Sequence, residues 1–302
     1  MKRLLLPALL LTTLTACTAA PAGTLPAAAP TPTPASTPAP TAAPAPADAL
    51  TPEEKVGQLF IIRPDALDLT LPQETINDAK ADGVTMLTDA MRETLQAYPV
   101  GGICQFGKNI TDPEQLAQFN ADLQAASRTP LFIAVDEEGG AVARLANHPA
   151  FDLPQFESAA AVGASGDPAD ACAMGQTIGG YLRTYGFNMD FAPDADVNTN
   201  PDNPIIGTRA FSSDAATAAE MAAAAADGLR TSGILPTLKH FPGHGDTAED
   251  SHTGLAYSYR TVDELTACEL LPFEAAAEVG PHAVMVGHIV VPELTGDLPA
   301  TL

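Results

Sequence analysis

From Thr51 onward, short apolar runs alternate with longer stretches whose apolar positions recur at helical spacing, the order expected of a parallel α/β fold. The runs at residues 100–106, 131–136, 188–193, 234–240 and 282–290 predict strands, and a weaker run at 83–87 predicts one more. Between them, helix starts are well marked. Thr51, Thr111 and Thr261 are each followed three positions later by a glutamate, Glu54, Glu114 and Glu264, the pattern in which a cap residue and the third helical residue satisfy each other's backbone N–H. The alanine-rich stretch 215–229 predicts one long helix between two strands. No repeat of fixed period is present.

Polar residues gather where the strands end. Asp136, Glu137 and Glu138 follow one run, Asp194, Asp196 and Asn198 the next, Lys239, His240 and His244 a third, and His288 a fourth. A charge after a strand is usually a solvated turn, but four such ends facing one way are the placement of an active site at the C-terminal mouth of a (β/α)8 barrel. The fold expected is therefore α/β, a TIM-type (β/α)8 barrel of which about six strands are present.

The first fifty residues have a different pattern. Lys2 and Arg3 precede an apolar run, residues 4–11, that is too short to span a bilayer as a helix. Small residues and Cys17 follow, so residues 1–16 predict a signal peptide, and Leu14 to Cys17 resembles the lipobox of bacterial lipoproteins, with Cys17 the lipidated residue. Residues 17–50 are almost entirely Ala, Pro and Thr, with Asp48 the only charge. That composition forms an extended tether and no core. Residues 51–302 are left as the globular part. The expected location is extracytoplasmic, anchored through lipid to a bacterial membrane.

Composition narrows the partners. The chain of 302 residues carries 14 Lys+Arg against 37 Asp+Glu, a net charge of −23, which argues against nucleic acid as a partner. Without Lys2 and Arg3 the balance is 12 against 37, or −25. A polyanion is not drawn to anionic lipid, so membrane attachment must come from the lipid itself. Besides Cys17, the cysteines Cys104, Cys172 and Cys268 are too few for a disulfide framework and read as small buried hydrophobes.

Four segments make the chemistry specific: KVGQLF (55–60), VDEEGGAVARL (135–145), DFAPDADVNTNPDNPIIGTRAF (190–211) and KHFPGHGDTAEDSH (239–252). Together they resemble successive blocks of glycoside hydrolase family 3, and the Asp250-Ser251-His252 ending is similar to the NagZ-like β-N-acetylhexosaminidase branch. The resemblance implies a retaining exo-glycosidase that removes terminal β-linked N-acetylglucosamine, from peptidoglycan fragments or chitin-type chains, with no cofactor. It implies His252 as the acid/base and Asp250 as the residue that orients it. A histidine can serve as acid in one step and base in the next when an anion holds the ring. The resemblance also assigns Asp136, Arg144, Arg209, Lys239 and His240 to sugar binding. Ala141 departs from the family, which commonly has Arg there. The family's nucleophile, an Asp, is expected on a strand beyond Leu302. Residues 51–302 alone are thus expected not to turn over substrate and to be part of a longer active enzyme, the alternative being a truncated protein that at best binds sugar.

A second function class shares some of these residues. His240-x3-His244 with Asp250 and His252 also resembles a divalent-metal spacing, as a metal-dependent hydrolase would need. Pro242, Gly243 and Gly245 forbid the helix on which such a histidine pair converges, and retaining glycoside hydrolysis needs no metal.

Overall fold

The structure is a computed structural model that describes residues 47–250 and 254–302. Cys17, the signal segment and His252 lie outside the described residues, as does the tether except for its last residues, where Ala47–Ala49 makes one 3-10 turn.

The elements in chain order are α1 (Pro52–Gly57), β1 (Ile61–Ile62), α2 (Gln73–Asn77), α3 (Asp89–Ala97), β2 (Gly102–Cys104), α4 (Pro113–Ala126), β3 (Phe132–Val135), β4 (Glu137–Gly139), β5 (Val142–Ala143), α5 (Ala159–Gly163) and α6 (Pro168–Thr184). They continue with β6 (Met189–Asp190), α7 (Ala215–Thr231), β7 (Leu235–Phe241), β8 (Ala256–Tyr257), α8 (Val262–Ala267), α9 (Leu271–Val279), β9 (Ala283–Val286), β10 (Ile289–Val290) and α10 (Pro292–Thr295). Six strands form one all-parallel sheet in the order β1-β2-β3-β6-β7-β9, the arc of an incomplete (β/α) barrel. Neighbours in the sheet are also neighbours in sequence once the small β4–β5 hairpin and the separate β8–β10 pair are set aside. Helices α4, α6, α7 and α9 cover the outer face through Leu116, Phe119, Leu123, Ile178, Leu182, Met221, Leu229 and Phe273, which join Ile103, Ile133 and Leu238 from the strands in one core. Each such leucine contributes roughly 1.5–3 kcal/mol by leaving water.

Local signals decide the helix ends. Thr51 and Thr261 form the expected reciprocal caps with Glu54 and Glu264. Helix α4 differs: its cap is Asp112, which accepts from Glu114 N and Gln115 N. Pro113 occupies the first helical position, moving the start one residue past Thr111.

Two strand expectations are corrected. Residues 83–87 form no strand, because their backbone is held by side chains: Val84 N donates to Asp65, Val84 O accepts from Asn109, and Thr85 O accepts from Gln115. The first strand is instead Ile61–Ile62, aligned with Gly102 and Ile103 of β2. The run 282–290 splits into β9 and β10, with Gly287 and His288 between, and β10 leaves the main sheet to pair with β8.

Helices α6 and α7 approach closely because their contact is glycine on backbone. A Cβ on Gly175 would lie 2.2 Å from the Ala225 carbonyl oxygen, and one on Gly228 would lie 2.2 Å from that of Cys172. Of the buried residues of α7, Ala218, Ala219, Ala222, Ala223, Ala225 and Ala226 are alanines.

Candidate active site

A cavity of about 790 Å³ opens at the C-terminal ends of the parallel strands, within the size range of pockets for small organic ligands. Its wall includes Asp136, Arg144, Arg209, Lys239 and His240, which come from segments more than a hundred residues apart. The sheet register brings them together: Asp136 follows β3, and Lys239 and His240 stand on β7, where the Lys239–His240 peptide is cis.

The polar groups form one chain of alternating charge. Lys239 Nζ lies 2.8 Å from Asp136 Oδ1 and 2.6 Å from Glu138 Oε1. Arg209 donates to both oxygens of Glu138, through Nε at 2.9 Å and Nη2 at 2.8 Å, the fork geometry that guanidinium and carboxylate share. Arg144 approaches Asp136 at 3.7 Å. Burial by itself would push the Glu138 carboxyl upward, but Lys239 and Arg209 outweigh it and hold the group at about 2. Burial by itself lowers the affinity of the Lys239 ammonium for its proton, but Glu138 and Asp136 beside it more than offset that, and the affinity rises.

His240 is oriented from two sides. Its Nδ1 lies 2.7 Å from Asp196 Oδ2, and its Nε2 lies 3.4 Å from Arg209 Nη2. A guanidinium can only donate, so Nε2 accepts and Nδ1 carries the proton toward Asp196. Burial makes the doubly protonated ring less favourable, against the pull of Asp196. Asp196 also accepts from the backbone N–H groups of His240 and His244. Its carboxyl is lowered, since His240 and these bonds overcome its burial, whereas burial and Asp196 raise that of Asp194. The pair thus differ in their readiness to hold a proton, as neighbouring carboxyls must.

Asp194, Asp196 and His240 are a trio whose ligand atoms lie within 4.8 Å of one another, as a metal site would require. The Arg209 guanidinium faces that trio, 3.5 Å from Asp194, and sets a fixed positive charge beside it. His244 does not join His240 around a common point. Its Nδ1 lies 2.6 Å from Thr247 Oγ1, and the two imidazoles meet edge to face at 5.7 Å.

Asp250, half-buried, accepts from Gly254 N at its carbonyl oxygen and stands outside the cavity lining. Ala141 is exposed in the turn of the β4–β5 hairpin. The segment after it is held by Glu137, which accepts from Leu145 N, Ala146 N and the Tyr181 hydroxyl. Glu137 thereby sets the stretch that carries Arg144.

Residues 51–302 match the family described as glycosyl hydrolase family 3 N terminal domain. The chain belongs to glycosyl hydrolase family 3. Among its relatives in this family, Beta-hexosaminidase A of Pseudoalteromonas piscicida is 36% identical over 217 residues, covering 70% of this chain and 36% of that protein. Beta-hexosaminidase LpqI of Mycobacterium tuberculosis is 35% identical over 267 residues, covering 84% and 58%. Among solved family 3 structures, a β-N-acetylglucosaminidase from a Paenibacillus species superposes with TM-score 0.72 at 37% identity, covering 84% of this chain and 45% of that one. NagZ from Neisseria gonorrhoeae, in complex with N-trifluoroacetyl-D-glucosamine, gives TM-score 0.65 at 32% identity, covering 71% and 64%. The chain thus spans between 36% and 64% of the length of these relatives.

Glu138 is a residue of this cluster that the sequence reading left without a role. It stands in the same block as Asp136, adjacent to Gly139, and its place at a strand end was the one signal the sequence offered. His288, also without an assigned role, lines the cavity from the link after β9, with Nδ1 2.8 Å from Thr301 Oγ1.

Proposed function

We propose that the protein containing this chain is a retaining exo-β-N-acetylhexosaminidase that releases terminal N-acetylglucosamine from peptidoglycan-type glycans. The observation that carries the reading is the polar cluster of Asp136, Lys239, Glu138, Arg209 and His240 at one end of the cavity. Asp136, partly exposed, offers acceptors for sugar hydroxyls, while Arg144, Arg209 and Lys239 offer donors on a rigid frame. His252 is the acid/base in this reading. It gives a proton to the leaving oxygen and later takes one from water, with Asp250 holding the ring.

His252→Ala is expected to slow cleavage of natural glycosides at least about 100-fold and that of aryl glycosides much less, because good leaving groups need little protonation. Steady-state rates on both substrate kinds give the ratio. Equal losses would remove His252 from the acid/base role and favour a metal-dependent reaction, which chelation would then test.

The same proposal places the protein outside the cytoplasm, held to the membrane by lipid on Cys17 and a tether of Ala, Pro and Thr. The order of charged, apolar and small residues before Cys17 supports it, and no helix among the described residues is long and apolar enough to cross a membrane. Cys17→Ser is expected to move the protein from the membrane pellet to the soluble fraction. A variant that still sediments with membranes would show that some other contact is the anchor.

A further inference from the structure

The segment whose sequence carries Asp250 and His252 has its two ends fixed by different parts of the fold. Its entry, His244 to Thr247, is held by the stretch after β6. Asn203 Nδ2 donates to the carbonyl oxygens of His244 and Thr247 at 2.8 and 2.9 Å, Asn200 Nδ2 to that of Thr247 at 3.0 Å, and Thr199 Oγ1 to Asp246 Oδ1 at 3.3 Å. Its exit is β8, which pairs with β10 outside the main sheet. Neither set of bonds relates one end to the other.

Arg260 does. It stands three residues beyond β8, and its guanidinium reaches back to the entry: Nη2 lies 3.2 Å from Asp246 Oδ1, and Nε lies 3.3 Å from Glu269 Oε1. Glu269, in the link between α8 and α9, is fully buried. Its stem packs against the same entry, since a Cβ on Gly243 would lie 2.6 Å from both Cβ and Cγ of Glu269. One cation thus meets an anion of the entry and an anion seated against it, while its own backbone belongs to the exit.

Stability alone does not account for the arrangement. Asp246 and Arg260 are partly exposed, and an ion pair open to water contributes little to folding. A carboxylate taken fully out of water costs more than an apolar side chain of its size would. What the three groups gain is position. Joining the ends of a segment restricts the placements open to it, and a small misplacement of a catalytic group slows its step markedly.

We propose that Arg260 is a positioning residue for proton transfer: by pairing with Asp246 it clasps the two ends of the segment that carries the acid/base histidine, and Glu269 holds the clasp against Gly243. The proposal rests on the reading of His252 as the acid/base.

The test is kcat/KM of the full-length protein on two substrates, with calorimetry on N-acetylglucosamine alongside. One substrate is the β-linked disaccharide of N-acetylglucosamine, whose leaving group needs a proton; the other is its dinitrophenyl glycoside, whose leaving group does not. Arg260→Met is expected to lower kcat/KM on the disaccharide at least tenfold, while the dinitrophenyl value and the monosaccharide Kd change less than twofold. Burial already pushes the Glu269 carboxyl up, so it can take a proton when Arg260 is gone, which lets the variant fold. Arg260→Lys, which keeps the charge, should recover most of the loss. Asp246→Asn, which keeps the shape of a partly exposed side chain, should give the same selective loss, at least fivefold, and carries the test should Arg260→Met not fold. In the double variant the two losses should not multiply, because both break one contact. Equal loss on both substrates, an unchanged disaccharide rate in either variant, or losses that multiply overturns the proposal. Failure of the functional reading looks different: the unsubstituted protein then cleaves neither substrate, or His252→Ala loses both equally, and both conclusions fall.

Discussion

Glu138→Gln is expected to destabilise the protein by about 3–5 kcal/mol at pH 7, the cost of removing one partner from a buried ionic group. Glu138 is the shared anion between Lys239 and Arg209; Glu138 and Lys239 are almost fully buried and Arg209 largely so. Without its charge, among the described residues Lys239 keeps the ion pair with Asp136 and Arg209 the one with the more distant Asp194. The loss should depend on pH. The Glu138 carboxyl is held at about 2 against an ordinary 4.5, so its contribution is complete above pH 4.5 and fades as the pH falls through about 2. The variant lacks that charge at every pH, so the gap between the two proteins should narrow across that window. Urea denaturation at several pH values would measure it. Because Lys239 and Arg209 lose their common anchor, turnover of an aryl N-acetylglucosaminide should also fall about 100-fold, the usual consequence of a small misplacement. A loss below about 1 kcal/mol at pH 7 would mean that the cluster behaves as a solvated surface pair.

Gly245→Ala is expected to be nearly as damaging, for a steric reason. An added Cβ there would lie 1.8 Å from the Val197 carbonyl oxygen, so one of two backbone segments must shift. Both segments serve the site. Asn200 N donates to the Gly245 carbonyl, Asn203 Nδ2 donates to that of His244, and His244 N donates to Asp196, the partner of His240. Overpacking of this kind costs about 1–3 kcal/mol. The shift should also loosen His240, lowering activity more than Tm alone would suggest. Thermal unfolding together with kcat/KM would separate the two effects, and a variant with unchanged Tm and rate would show that the loop yields at no cost.

Much of this was legible in the sequence where the signal is local or repeated. The caps at Thr51 and Thr261 are four-residue signals, and the strand order follows from alternating runs in a fold whose crossovers are short and of one hand. Among the pocket residues, Asp136, Lys239 and His240 were legible because strand ends in such a fold converge, whereas Arg144 and Arg209 were legible only through the resemblance to the family 3 blocks. The misses have physical causes. Residues 83–87 have a strand's apolar pattern, yet their hydrogen bonds go to the side chains of Asp65, Asn109 and Gln115. Ile61–Ile62 was hidden in an apolar run that begins inside α1 and continues past its end. Glu138 needed knowledge of two cations 71 and 101 positions away, which no local pattern supplies.

The alanine and glycine contact between α6 and α7 makes the tolerance of that region one-sided. In an ordinary core, trimming a leucine opens a hole and enlarging an alanine causes a clash, so errors in both directions are punished. Here Gly175 and Gly228 rest on backbone, and α7 meets its neighbours largely through alanines, so there is little side chain to remove. Substitution can only add volume. The two helices flank β6, whose C-terminal end leads to the carboxylates beside His240, so selection on this seam acts against growth alone, and its composition is expected to drift among the smallest residues without reaching larger ones.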